Sequence, residues 1–513
     1  MTISATEHFH FSAGSGLLVA GTRSGCGKTS VSLGLMAALA RRGLTVQPFK
    51  SGPDFIDPLH HARAAGRTSH NLDGWMLERH VVADIFQRHT PEGSVAVVEG
   101  AMGLFDGASG TSASGSSEEL ARWLALPVLL VVDASSMARS VAALVRGYLD
   151  FCPDLPFAGV VLNRVGSPAH AELLSEALET ALPGCANPAP LLGLLPRTAG
   201  LELPSRHLGL VTPEPHDREP APEREEDVYD RLAGWVEEHL DLDALLRGIA
   251  KQSPGAAQEA CSTLESLDFQ NPAAIPSRFG AISFRSGARP LMGVARDAAF
   301  CFCYAENLRL LEAAGADLKF FSPLTDQALP PGLDGLYLPG GYPELHAARL
   351  AGNRTMLDSV REFCASGRSV YAECGGFLYL LSSLRDAEGR EHALCGVFSG
   401  RAALHGRFRA LGYRSVVLAQ DSRFGPSGLA VRGHAFHYSE LIGPSGGRPV
   451  YDVADRRGRS LCCAGTPPTK GFSCGGWLGG VQDNVLGSYV HLHFASNPAF
   501  PRTLVQSCAL SGG

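Results

Sequence analysis

The sequence predicts an α/β chain in which a doubly wound parallel-sheet domain with a phosphate-binding loop (P-loop) precedes a second α/β domain. Three observations predict it. Short apolar runs alternate with helical stretches through about the first 210 residues. The run "GLLVA" opens into the glycine turn "GTRSGCGKTS" (21–30) and then into the helical "VSLGLMAALARRG". Far downstream, "SVYAECGGFLYLL" sets a cysteine between a strand and a helix. At 513 residues the chain is too long for one ordinary core, so two or more domains are expected.

Taken in order, "GLLVA", "LTVQPF", "SVAVVEG" (94–100), "PVLLVVDA" (127–134) and "FAGVVLNRV" (157–165) each read as a buried parallel strand. Between them, stretches such as "SVAALVRGYLDF" have helical period. After the charged, proline-rich "EPHDREPAPEREED" (214–227), residues 228–250 read as one helix closing the first domain. Residues 251–289 show no period and read as a linker. From "PLMGVARD" a second pattern begins. It runs through "LMGVA", a helix over "ENLRLLEAAGA", and strands in "DGLYLPGG" and "SVYAECGG". The expected domains are therefore 1–250 and 290–513, joined by 251–289.

Composition narrows the function. A net charge of −7 argues against a nucleic-acid partner. No apolar stretch approaches the ~20 residues of a membrane span, and the first residues carry no basic start followed by an apolar core. Thirteen cysteines, an odd number scattered along the chain, fit a reducing cytoplasm. Cys301 and Cys303 lie C-x-C with no second pair nearby, and read as packed thiols rather than metal ligands.

The glycine turn departs from the strict G-x-x-x-x-G-K-[ST] pattern: its first position is Thr22, and the glycine sits one place earlier, at Gly21. The physical requirements are still met. Gly25 and Gly27 relax the backbone so that N–H groups can face a phosphate, a helix begins behind them, Lys28 can reach the β- and γ-phosphates of ATP, and the Thr29 hydroxyl can hold Mg²⁺. Ser30 follows in the same turn. Acids gather at other strand ends, where open α/β sheets bind ligands. "PFKSGPDFIDPLHH" offers Lys50, Asp54 and Asp57, and "VVEGAMGLFDG" offers Glu99 and Asp106. Magnesium needs one or two such carboxylates. Any of them also reads as a helix cap, Asp57 before Pro58 most of all. Asn163 ends another strand, where it faces an adenine or caps a turn.

The second half carries a nucleophile elbow. Cys374 sits between strand and helix with Gly375 and Gly376 behind it, and the helix N-terminus favours its thiolate. The turn "LPGGYPE" (338–344) offers the N–H groups of Gly340 and Gly341 as an oxyanion hole. A base is expected from "GSYVHLHF" (487–494), where His491 and His493 lie on one face of a strand, or from His434 and His437 in "RGHAFHYSE".

Together these motifs resemble the cobyrinic acid a,c-diamide synthase family over residues 17–110 and 291–495. "KSGPDFIDP", "NLDGWML", "EGAMGLFDG", "AFCFCYAENL", "LPGGYPE", "AECGGFLYL", "GHAFHYS" and "SYVHLHF" follow the family's order. Gly21, six residues before Gly27, matches the dethiobiotin-synthetase form of the loop. The resemblance implies an ATP domain of that type joined to a flavodoxin-like class I glutamine amidotransferase domain. It also implies Cys374 as nucleophile, His491 as base, and Gly340, Gly341 and Gly375 around the glutamine. Gly25, Gly27, Lys28, Thr29, Ser30 and Asn163 would hold ATP. Lys50, Asp54, Asp57 and Asp106 would serve substrate or phosphate, with Thr29, Asp54 and Glu99 on Mg²⁺. The implied small molecules are ATP, L-glutamine and a corrinoid, with cobyrinate first. Hydrogenobyrinate, sirohydrochlorin, its nickel form and sirohaem are alternatives. A nucleotide switch of the MinD or ParA kind is the reading from another class. The oligomeric state stays open, a homodimer among its forms. Two residues depart from the family pattern: Ala435 stands for a usual Glu, and Cys303 for a usual aromatic residue.

Overall fold

The computed structural model describes residues 9–198, 200–201, 228–251, 289–406, 409–442, 448–461, 472–474 and 484–509. Most of the expected linker and the charged stretch 214–227 lie outside them. The described residues fall into two compact units.

The first unit is built on seven strands: β1 (Gly16–Gly21), β2 (Thr45–Ser51), β3 (His70–Leu72), β4 (Ser94–Glu99), β5 (Val128–Asp133), β6 (Phe157–Val165) and β7 (Leu191–Pro196). They pair in parallel throughout, in the order β3-β2-β4-β1-β5-β6-β7. β1, β4 and β5 are buried at every residue, as continuous apolar runs covered on both faces must be. Strand order reverses direction around β1, so the crevice beyond its C-terminal end is where a ligand fits. Helix α1 (Lys28–Arg41) starts there, and helix α2 (Ile56–Ala65) follows β2. The single helix read over 228–250 is two, Val228–His239 and Leu242–Ala250. The break falls at Leu240–Asp241, where the Asp241 carboxylate accepts the Ala244 N–H at 2.8 Å and caps a new helix.

The second unit centres on five parallel strands. β9 (Asp317–Phe321), β8 (Leu291–Ala295), β10 (Gly335–Leu338), β11 (Ser369–Glu373) and Val485–Ser488 lie side by side in that order. Short antiparallel strands extend one edge, and two further four-stranded sheets form from residues 381–492. The strand expected over 487–494 is interrupted. Val485–Ser488 belongs to the central sheet beside β11, whereas His491–Leu492 pairs with Ala430–His437 in another sheet. Among the described residues, no helix is long and apolar enough to cross a membrane.

Candidate active sites

The first site lies at the C-terminal edge of the first unit's sheet. Gly25 and Gly27 have φ of 76° and 97°, left-handed values that other residues rarely adopt. The displaced glycine has a steric cause: a Cβ at Gly21 would lie 2.2 Å from Cys26 Sγ and 2.9 Å from Lys28 Cγ. The loop folds back on its own strand, and only glycine leaves room. Lys28 is buried and donates to the carbonyls of Arg23 (3.2 Å) and Met102 (2.5 Å). Burial holds its pKa below the usual lysine value. Met102, whose carbonyl it reaches, has φ 49°, a strained value in the loop after β4. Ser30 is half-buried in the first turn of α1.

Glu99 is the hub. Thr29 Oγ1 donates to its Oε1 at 2.7 Å, Lys50 Nζ is 3.0 Å from the same oxygen, and His61 Nε2 is 2.6 Å from Oε2. Lys50 and Glu99 are register partners on β2 and β4, so the sheet itself delivers them together. Lys50 also pairs with Asp57 Oδ2 at 2.7 Å. Burial opposes the lysine's charge, but Asp57 and Glu99 outweigh it and raise its pKa. Burial and Asp57 push Glu99 upward, yet Lys50 and His61 hold it below the ordinary carboxylate value. Every charge in this buried cluster therefore has an opposite beside it.

The remaining expected residues make other contacts around this cluster. Asp54, not Asp57, caps the turn into α2: its Oδ1 accepts the Ile56 N–H at 2.8 Å. Asp106 is exposed and accepts the Gly103 N–H at 3.0 Å. Asn163 donates to the Cys26 carbonyl at 2.9 Å, and a Cβ at Gly27 would lie 2.0 Å from its Nδ2, so it props the glycine loop. Sequence reasoning missed two residues. His61 lies one helical turn after Asp57, and that i, i+4 spacing puts both on the face of α2 turned to Glu99 and Lys50. Asp133, at the end of β5, holds Arg23 (2.7 Å) and Arg164 (2.6 Å), and nothing in its local sequence marked it.

The second site surrounds Cys374. Its backbone sits at φ 42°, ψ −103°, a strained conformation for a side chain with a Cβ, and that is the signature of an elbow. The chain is pinned on both sides. Cys374 N–H donates to Ser488 O at 2.7 Å, and Gly376 N–H donates to Pro339 O at 2.9 Å. A Cβ at Gly375 would come within 2.9 Å of Gly341 N and of Pro343 Cδ, so the "LPGGYPE" turn lies directly against the elbow. Gly340 corrects an expectation: its N–H donates to Phe302 O at 3.2 Å and is not available to an oxyanion. What Gly340 supplies is space, because a Cβ there would sit 2.2 Å from Cε1 of His491.

The two histidines part company. His491 rests over Gly340, with its ring stacked on His434 (centroids 5.2 Å apart). Burial, reinforced by His434 and His437, keeps it well below the ordinary histidine pKa, hence neutral. His493 leaves the strand to begin the turn Phe494–Ser496, and its ring packs 4.6 Å from Tyr304. Burial lowers it to about 4. His434 bonds to the Tyr304 hydroxyl (3.0 Å) and His437 to Ser439 O (2.8 Å). Glu373, beside Cys374, was missed. It accepts the Tyr337 and Tyr371 hydroxyls (3.0 and 2.7 Å) and the Leu492 N–H (2.9 Å), which ties β11 to the histidine strand.

The thiolate expected from the helix N-terminus is not the resting form. Burial and the Glu344 carboxylate raise the Cys374 thiol above its ordinary value, and the Gly375 N–H does not offset them. Burial likewise pushes Cys301 and Cys303 up to about 12. Cys303 Sγ lies 3.7 Å from the Tyr337 hydroxyl, packed as expected. Ala435 is fully buried.

Both units of the chain match known proteins. Residues 17–211 match the CobQ/CobB/MinD/ParA nucleotide binding domain. Residues 292–499 match the CobB/CobQ-like glutamine amidotransferase domain. The chain is 43% identical over 497 residues to a cobyrinate a,c-diamide synthase of Syntrophotalea carbinolica, covering 96% of this chain and 98% of that one. It belongs to the cobyrinate a,c-diamide synthase family. A hydrogenobyrinate a,c-diamide synthase of Streptomyces coelicolor is 39% identical, again over 96% of this chain and 98% of that one. A cobyrinate a,c-diamide synthase of Dehalococcoides mccartyi is 36% identical, over 96% and 97%. Within this family the first unit is the nucleotide-binding part and the second the amidotransferase part.

Proposed function

We propose that this enzyme amidates the a and c carboxylates of cobyrinate, drawing ammonia from glutamine and activation from ATP. Residues 1–250 would form the ATP domain, 251–289 the linker and 290–513 the glutaminase. The observation that carries the reading is the Cys374 elbow, strained at φ 42° and backed by His491 over Gly340. A protein using this fold only as a nucleotide switch has no need to keep that strain.

Cys374 passes its proton to His491 and attacks the glutamine carboxamide. Gly375 and Gly341 offer the N–H groups for the oxyanion. Ammonia leaves with the proton His491 returns, and water then frees glutamate from the thioester. In the first unit a substrate carboxylate takes the γ-phosphoryl group of ATP, and ammonia displaces phosphate from the acyl phosphate. ATP is required because oxide is a poor leaving group and phosphate a good one. Lys28 offers its charge to the phosphates. Lys50, held between Asp57 and Glu99, can neutralise the carboxylate being activated. Thr29 and Glu99, 2.7 Å apart beside the loop, and Asp54, whose charge is felt at Lys50, are hard oxygen donors of the kind that fits Mg²⁺. Those residues would hold the ion, which when bound spreads the charge of the phosphates.

The Streptomyces coelicolor relative supports a second reading, hydrogenobyrinate, the metal-free macrocycle. Incubation with ATP, glutamine and each macrocycle, with products read by mass, decides. A mono- and then a diamide from cobyrinate is expected. ATP turnover without amide formation on either would sink the reading.

A further inference from the structure

The glutaminase reading leaves one group beside the thiol without a task. Glu344 closes the turn that packs against the elbow, directly after Pro343, whose Cδ a Cβ at Gly375 would approach to 2.9 Å. Its Oε2 is screened from solvent and accepts no hydrogen bond from any described residue. Burial pushes the carboxyl up to about 7. Its charge is felt at Cys374, where after burial it is the largest influence raising the thiol, and also at Tyr489. A screened carboxylate oxygen with no donor costs stability, so a ligand that brings a donor gains there. Glutamine brings a cationic donor: its α-ammonium stands three carbon–carbon bonds from the carboxamide carbon that Cys374 attacks.

We propose that Glu344 receives the α-ammonium of glutamine, and that the ammonium cancels the negative charge this turn brings to the elbow. This rests on the glutaminase reading. It adds that the substrate itself releases the nucleophile, so a carboxamide without an ammonium neither binds well nor activates Cys374. Binding moves no covalent bond. The thiol proton goes to His491 as before.

The test compares hydrolysis of L-glutamine with that of glutaramate, which is glutamine without its amino group. Truncating one partner of a buried charge pair costs about 2–5 kcal/mol, so the wild type should prefer glutamine by about 30-fold or more in kcat/KM. Glu344→Gln should lose most of that preference, chiefly through a higher KM for glutamine. Without substrate, the same variant should be alkylated at Cys374 by iodoacetamide about tenfold faster at pH 7, because the opposing charge is gone. Glu344→Asp, which keeps the charge but shortens its reach, should fall between the two in preference, and serves if the glutamine variant does not fold. An unchanged preference, or an equal loss on both substrates, overturns the proposal alone. A wild type that hydrolyses neither compound overturns the glutaminase reading beneath it.

Discussion

The two sites are both buried, and they treat charge in opposite ways. Around Glu99 each ionised group has a partner. Lys50 lies between Asp57 and Glu99, and His61 closes the other carboxylate oxygen. Around Cys374 burial is the first influence on each ionisable group. Burial raises Cys374, Glu373 and Glu344, and lowers His434, His437 and His491. Burial alone therefore does not decide ionisation; the nearest opposite charge does. The paired cluster suits phosphates, which arrive charged. The desolvated cluster suits a carboxamide, whose reacting group arrives neutral and needs a proton moved.

The largest effect that sharpens this contrast is complete loss at one site with survival at the other. Lys28→Ala should reduce amidation to background with either glutamine or ammonium salts. Cys374→Ala should abolish only the glutamine-dependent reaction. Assays with both nitrogen sources read this, and equal loss in both variants would break the division between the sites.

Next come the histidines. His491→Ala should lower glutaminase activity by about 10²–10⁴, the usual cost of a general base. His493→Ala should cost clearly less, since its ring packs on Tyr304. A more damaging His493→Ala would invert the assignment.

A stability effect follows at the paired cluster. Glu99→Ala leaves Lys50 with one acid in place of two, and should destabilise the first unit by about 3–5 kcal/mol. Urea unfolding of the full chain, followed by segment-resolved hydrogen exchange, measures it. A change confined to the second unit would contradict the placement.

The smallest effect is in pH dependence, with opposite signs in the two units. Glu373 is raised to about 7, so its contribution is full below the unfolded value near 4.5 and is lost as pH rises through 7. Glu99 is lowered, so its contribution is present above 4.5 and is lost as pH falls below it. Hydrogen exchange across pH 4–8 should show the second unit weakening upward, by about 3 kcal/mol at most, and the first weakening downward. Glu373→Gln should flatten the former slope.

How far the sequence was legible depended on the range of the interaction. The P-loop and the elbow are local: a strand, a few glycines and a helix in one short run announce both. Lys28, Thr29 and Cys374 were readable for that reason. His61, on helix α2, was not, because its partner Glu99 lies 38 residues away on strand β4. The Gly340 N–H is taken by Phe302, again a distant partner. β9 ("DLKFF") is largely exposed, and β3 is only three residues, two of them polar, so neither shows a long apolar run. The interruption after Ser488 depends on which neighbour each half of "GSYVHLHF" finds, and alternation along one strand is silent on that.

The tie between Glu373 and Leu492 also has a consequence for the order of synthesis. β11 is made with position 374, but its neighbours Val485–Ser488 and His491 come more than a hundred residues later. At about 5–20 residues per second, Cys374 waits on the order of ten seconds for His491. During that interval the Ser488 carbonyl, which accepts the Cys374 N–H at 2.7 Å, does not yet exist. A strained elbow persists only where its surroundings impose it. The ribosome-bound chain therefore carries Cys374 without the contacts that impose its elbow, and on the proposed reading it does not attack glutamine until the last strands have docked.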